Sequence, residues 1–222
     1  MFIYEPKSRA IEYYKHTDID FVMQRTLLIG KDLYTISGPD VTISIYADVR
    51  STNSPKKICA ATLGQDYRCN YAVTSFQERL IYITGGHNIS GPTNTTLVFD
   101  VKSRTIKGAA CMQSARYLHK NCSLGENIFI IGGYNDQHII ADTIERLSIV
   151  GKHNKWESIR FEALAGIEIS SVCALNSTKL LIFGWPMHDD VKNSFDDVLT
   201  FDANTNLIEK AAEAPYKYYM PI

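Results

Sequence analysis

The sequence predicts an all-β chain made of repeated units of four short antiparallel strands. Three observations predict it: runs of large apolar residues that end in a glycine pair, the return of that pattern along the chain, and turn-forming stretches that fold the runs into hairpins. The clearest run is IFIIGGY at residues 128–134. Its relatives are LIYITGGH at 80–87, LLIFGWP at 180–186 and, more loosely, LYTISGP at 33–39. The second members of the pair, Gly38, Gly86, Gly133 and Trp185, return about every 50 residues, a spacing that belongs to arrays of supersecondary units.

Each element of the unit follows from its own pattern. The apolar run is the second strand, and its continuous apolar character means that both of its faces are covered. A polar turn precedes it, GEN at 125–127 or NSTK at 176–179, and a first strand precedes the turn, HKNCSL at 119–124 or SSVCAL at 170–175. After the glycines comes a polar loop of variable length. An acidic or amide residue then stands five positions before a bulky apolar one: Asn94 with Phe99, Asp142 with Leu147, Asp196 with Phe201. Those short polar side chains are expected to cap turns. Seven residues beyond Phe99 and Phe201 stand Ile106 and Ile208, across the turn-like stretches DVKSRT and DANTNL, which adds a second hairpin of third and fourth strands.

Repeats of this length and internal order resemble the kelch motif. The unit at 112–159 carries the resemblance best, with ARYLH at 115–119, the pair Gly132-Gly133, and Trp156 where the family has an outer-strand tryptophan. Other units depart from it. Ile106 and Ile208 replace the tryptophan, and the pair is Ser37-Gly38 in one unit and Gly184-Trp185 in another. The resemblance implies a kelch-type β-propeller of four-stranded antiparallel blades. Gly38, Gly85, Gly86, Gly132, Gly133 and Gly184 are then structural, permitting close backbone approach where neighbouring blades crowd together.

Residues 1–222 are expected to form a single propeller domain. Residues 3–13, IYEPKSRAIEY, align with VFDVKSRTIKG at 98–108 and match Tyr4 and Ile11 to Phe99 and Ile106. Segment 1–20 therefore supplies the outer strands of a blade, full blades occupy 21–60, 61–111, 112–159 and 160–209, and 210–222 supplies the first strand of a further blade. Four full blades plus terminal strands make a partial propeller. Other parts of a longer parent chain are expected to complete it, with a closed five-bladed ring as the alternative.

Charge and composition exclude several roles. A formal net charge of −1 provides no field to gather nucleic acid, and no apolar stretch has the roughly 18 residues of a membrane span. The five cysteines lie at irregular spacing with no C-x-x-C pair, which suits reduced, mostly buried thiols and a cytoplasmic location. The histidines form no metal-binding spacing, so neither metal nor cofactor is expected. No G-x-S-x-G, P-loop or dinucleotide-binding motif is present, so no catalytic residue is assigned.

The expected function is therefore a non-catalytic protein-interaction module or scaffold. Loops between second and third strands share a face with the connections between blades, and rigid blades suit such loops for holding a partner. The residues assigned to that contact are Arg68, His87, Arg116, Tyr134, Asn135, Asp136, His138, His188, Asp189 and Asp190. Tyr117 is expected to pack in the core. The resemblance also implies two alternatives: a propeller enzyme acting on a sugar or small molecule at an axial site, and the substrate-recognition part of a ubiquitin-ligase adaptor. A cytoskeletal scaffold is a third implied role.

Overall fold

The computed structural model describes residues 2–5, 10–13, 25–49, 57–62, 68–150, 154–187 and 197–213. Strands β1 (Phe2–Glu5) and β2 (Ala10–Tyr13) form an antiparallel pair in which Tyr4 lies opposite Ile11. The first four-stranded sheet contains β3 (Arg25–Ile29), β4 (Asp32–Ser37), β5 (Thr42–Tyr46) and β6 (Lys57–Thr62). The second begins with β7 (Ala72–Phe76) and β8 (Leu80–Thr84). It then sends out a small hairpin, β9 (His87–Asn88) and β10 (Gly91–Pro92), and ends with β11 (Thr96–Asp100) and β12 (Thr105–Ala109). The third contains β13 (Lys120–Leu124), β14 (Asn127–Ile131), β15 (Thr143–Ser148) and β16 (Trp156–Arg160). A 3-10 turn at Glu162–Leu164 leads to the fourth: β17 (Ile167–Ala174), β18 (Lys179–Pro186), β19 (Asp197–Asp202) and β20 (Leu207–Glu213).

Every sheet is antiparallel and keeps its strands in chain order, as two successive hairpins require. The aromatic and aliphatic residues seven apart are direct cross-strand partners, Phe99 opposite Ile106 and Phe201 opposite Ile208. Their turns are closed by aspartates. Asp100 Oδ1 accepts from the amides of Lys102 and Ser103, and Asp202 Oδ1 from those of Asn204 and Thr205. These bonds, the Ser103 amide first for Asp100 and the Asn204 amide first for Asp202, hold both carboxyls below the usual carboxylate range.

The core lies between sheets rather than within one. Along β14, Ile128 and Ile130 pack backward against Phe76, Tyr82 and Met112, while Phe129 and Ile131 pack forward against Ile169, Leu180, Ile182 and Phe201. The two-residue strand period thus puts successive apolar residues into different cores, which explains why the run is apolar without a break. A third cluster joins Tyr34, Ile36 and Ile43 of the first sheet to Tyr71, Ile81 and Phe99 of the second. Burying an aliphatic or aromatic side chain of this size stabilises by about 1.5–3 kcal/mol, so each sheet relies on its neighbour for much of its stability. Trp156, 1% exposed, extends the contact outward, its indole donating to the Ala110 carbonyl at 2.9 Å.

The innermost strands β3, β7, β13 and β17 are neighbours in turn, giving four blades around a common axis. At the glycine pair the chain makes two different close approaches. A Cβ on Gly132 (φ +66°) would stand 2.5 Å from Ile169 Cγ1 of the next blade, whereas one on Gly133 (φ +85°) would meet the Tyr117 carbonyl oxygen of its own blade at 2.7 Å. Inter-blade crowding is the reason for the first glycine alone.

Two sequence expectations are corrected here. Cys69, Cys111 and Cys173 are exposed free thiols, and Cys122 is half-buried. Inner-strand residues can face the axis rather than a core, and Cys173 lies on the exposed stretch of β17. Burial, and then the neighbouring Cys173, push the Cys122 thiol up to about 11. Asn94 and Asp142 bond across the blade rather than to a local turn, and Asp196 lies outside the described residues. Asn94 Nδ2 donates to the Met112 carbonyl and Asp142 pairs with Arg160 at 2.6 Å, tying the start of each third strand to the end of the fourth.

Candidate partner-binding face

One backbone device is repeated in the second and third blades. The residue after the glycine pair forms a bridge with the residue after a buried arginine: His87 with Cys69, and Tyr134 with Tyr117. Amide and carbonyl are exchanged both ways, at 2.8 and 2.9 Å in the first bridge and at 2.9 and 3.1 Å in the second. The arginines lie beneath. Arg68 Nη1 donates to the Gly85 carbonyl and Arg116 Nη1 to the Gly132 carbonyl, each at 3.1 Å.

Arg68 and Arg116 are therefore corrected as partner contacts, since each is 1% exposed. Arg116 also donates to Thr143 Oγ1 at 2.9 Å and forms an ion pair with the fully buried Glu145 at 2.7 Å. Glu145 accepts from the Gln113 and Ser114 amides as well. Burial lowers the Arg116 guanidinium from its ordinary value, and the Glu145 charge acts against that shift. Leu97 stands in the second blade at the position of Glu145, two residues before the buried Phe99 as Glu145 is before Leu147.

Above this layer the structure brings His87, Tyr134 and His138 together around Tyr117. The Tyr117 ring centroid lies 5.2 Å from His87, 5.7 Å from Tyr134 and 6.2 Å from His138. The Tyr117 hydroxyl is hydrogen-bonded to His138 Nδ1 at 2.6 Å. Burial, followed by a bond to Glu168 of the next blade, pushes the Tyr134 phenol up to about 12. Asn135 shapes the loop, its Oδ1 accepting from the Gln137 and Ile139 amides, and Asp136 is exposed beside it. His188, Asp189 and Asp190 lie outside the described residues.

Four cavities run across this face and share residues. One of about 350 Å³ lies among His87, Pro92, Tyr117, Asp136 and His138. The next, about 330 Å³, shares His87 and Ile89 and reaches Pro39, Arg68 and Cys69. A third, about 410 Å³, shares those three and continues to Asn70, Tyr71 and Arg25. Arg25 and Tyr71 also line the last, about 390 Å³, at the axis. Each cavity thus shares lining residues with the next, and the row of four is termed the trough. Ile89, wholly exposed at the tip of the β9–β10 hairpin, lines two of these cavities, and Ile139, 56% exposed, stands in the Asn135 loop beside His138, which lines the first. Among the described residues no group of three or more His, Cys, Asp or Glu could hold a metal ion.

The family model for the kelch motif matches residues 115–160, the third blade with its buried arginine, glycine pair and Trp156. Residues 115–160 carry a kelch motif. Kelch-like protein 36 of Rattus norvegicus and of Mus musculus is 36% identical to it over 97 residues, and that of Bos taurus 34%. These matches take in 40% of this chain and 15% of the relatives, so the chain spans only a small part of their length. The solved structure of YjhT superposes with a TM-score of 0.69 at 12% identity, covering 91% of this chain and 68% of that one. That likeness shows the propeller fold.

Tyr117, Ile89 and Pro92 are the face residues that sequence reasoning missed. A signal for Tyr117 existed. In an extended segment neighbouring side chains point opposite ways, so an inward Arg116 places Tyr117 outward. The face as built offers aromatic rings with polar edges, a hydroxyl, imidazoles and isolated exposed aliphatics, which suits recognition of another polypeptide.

Proposed function

We propose that this kelch propeller is a non-catalytic protein-binding module that holds its partner in the trough across the loop face. The observation that carries the reading is the row of four cavities, whose neighbours share Pro39, Arg68, His87 and Arg25 as lining, with the exposed Ile89 beside two of them. A row of cavities longer than any one of them fits an extended stretch of partner chain, with Tyr117, which lines the first, as a rigid anchor. The kelch motif and the Kelch-like relatives support an interaction role. A scaffold and the recognition part of a ligase adaptor would both use such a module. The proposal includes a reducing, cytoplasmic setting, since three exposed free thiols would be open to oxidation elsewhere.

The test is quantitative capture of binding proteins by three forms of the chain: wild type, Ile89→Asp with Ile139→Asp, and Leu175→Asp. Leu175 is exposed in the β17–β18 turn, at the opposite end of the blade. A partner lost from the double variant and kept by Leu175→Asp supports the reading. A partner kept by the double variant, or lost only from Leu175→Asp, overturns it.

A further inference from the structure

At the inner end of the trough the four innermost strands converge on the cavity of about 390 Å³, β3, β7 and β13 contributing residues near their first positions and β17 residues from its middle. Arg25 enters from β3 and Lys120 from β13, and Ser170 and Ser171 from β17 add hydroxyls. No carboxylate lines this cavity among the described residues. Glu168 lies close enough to act on Lys120, but its carboxyl is engaged by the Tyr134 hydroxyl. His119, also in the lining, is buried and neutral at physiological pH. Two cations of one sign thus share a walled space.

We propose that the mouth of the axis binds one anionic group, a carboxylate or a phosphate, between Arg25 and Lys120. Convergent cations in a partly enclosed site interact with an anion more strongly than the same charges on an open surface, because less water screens them. Lys120 Nζ donates to the Leu118 carbonyl at 3.2 Å, which employs one of its three N–H groups and fixes the ammonium at the cavity wall. Arg25 brings a planar fork suited to two oxygens at once. Burial, and next the charge of Arg25, pull the Lys120 ammonium below its ordinary value, a cost that a bound anion would relieve. The anion arrives either free in solution or as the acidic side chain of a docked segment, and both present anionic oxygens.

The experiment is an NMR titration of the ¹⁵N-labelled chain at constant ionic strength, maintained with chloride. The probes are inorganic phosphate, an acetylated Gly-Glu-Gly amide and its Gly-Gln-Gly counterpart. The expected result is saturable shifts at Arg25, Lys120 and Ser171 with phosphate, weakened at least tenfold by Lys120→Met and by Arg25→Gln. Phosphate binding without peptide binding assigns the site to a free anion. Binding of the Glu peptide but not the Gln peptide assigns it to an acidic side chain. Arg25 is exposed, so Arg25→Gln remains informative if Lys120→Met disturbs β13. No saturable shift with phosphate or the Glu peptide, or equal binding by the Arg25→Gln variant, overturns the proposal. The titration needs no partner protein, so its failure is distinct from failure of the interaction reading.

Discussion

Replacing either member of the Arg116–Glu145 pair is expected to destabilise the chain far more than a surface ion pair would. The two side chains are 1% and 0% exposed and 2.7 Å apart. Unit charges about 4 Å apart at an effective dielectric near 20 attract by about 4 kcal/mol, and removing one member of a buried pair costs about 3–5 kcal/mol. Glu145→Gln leaves the Arg116 charge buried among the Gly132 and Thr143 carbonyls and the Thr143 hydroxyl. Arg116→Met leaves the Glu145 carboxylate with the Gln113 and Ser114 amides. Each single variant should lose about 3–5 kcal/mol. The double variant should lose less than the sum by about 2 kcal/mol or more, because it strands no charge. Urea unfolding of the four forms, followed by tryptophan fluorescence, measures all three quantities, with the buried Trp156 as reporter in this blade. Single losses below about 1 kcal/mol that simply add would refute the reasoning, for that is how an exposed pair behaves.

The stability of the chain should also depend on pH through His119, which is 2% exposed and hydrogen-bonded to the Thr84 hydroxyl at 2.9 Å. Burial first, then the charges of Arg116 and Lys120, lower its imidazole to about 3 from an ordinary value of 6.5. Between those values the unfolded chain binds a proton that the folded chain refuses, so this contribution is whole above about pH 6.5 and declines as pH falls, by up to about 1.4 kcal/mol per unit. Unfolding at pH 7 and pH 5 should show wild type losing about 2 kcal/mol more than His119→Gln; equal losses would count against a buried neutral imidazole. Gly132→Ala should cost about 2–5 kcal/mol, combining left-handed backbone strain with the collision at Ile169. Gly125→Ala, at φ +58° with nothing within 4 Å, should cost only the backbone part, and Ile169→Ala should relieve only the collision. Equal destabilisation by the two glycine variants would refute the inter-blade contact.

The strand plan was legible because one physical demand repeats: a blade's second strand is covered on both faces, so it is apolar throughout, and its end is crowded, so glycine follows. The partners Phe99–Ile106 and Phe201–Ile208 could be read for a related reason, since a fixed turn length fixes the register. The functional face was less legible. Arginine is ordinarily exposed, and the prior fails for Arg68 and Arg116 because the strand end leaves carbonyls below the face that a guanidinium can satisfy. Reading Arg116 outward also sends Tyr117 inward, so one error of direction removed the tyrosine around which the face is organised.

Arg25 and Lys120 were missed for another reason. Nothing local marks them, as each is a cation at the start of a first strand. Their relation exists only because β3 and β13 both flank β7, which brings distant parts of the sequence to one axis. A repeat detected from period alone shows that positions are equivalent, but the axis places equivalent positions against each other. Chemistry at the centre of a propeller therefore depends on how the blades differ at one repeated position. Here the strands that carry Arg25 and Lys120 alternate with β7, which lends Ala72 and Val73, while β17 lends Ser170 and Ser171. That unequal distribution of charge around equivalent strands gives the axis its cationic wall.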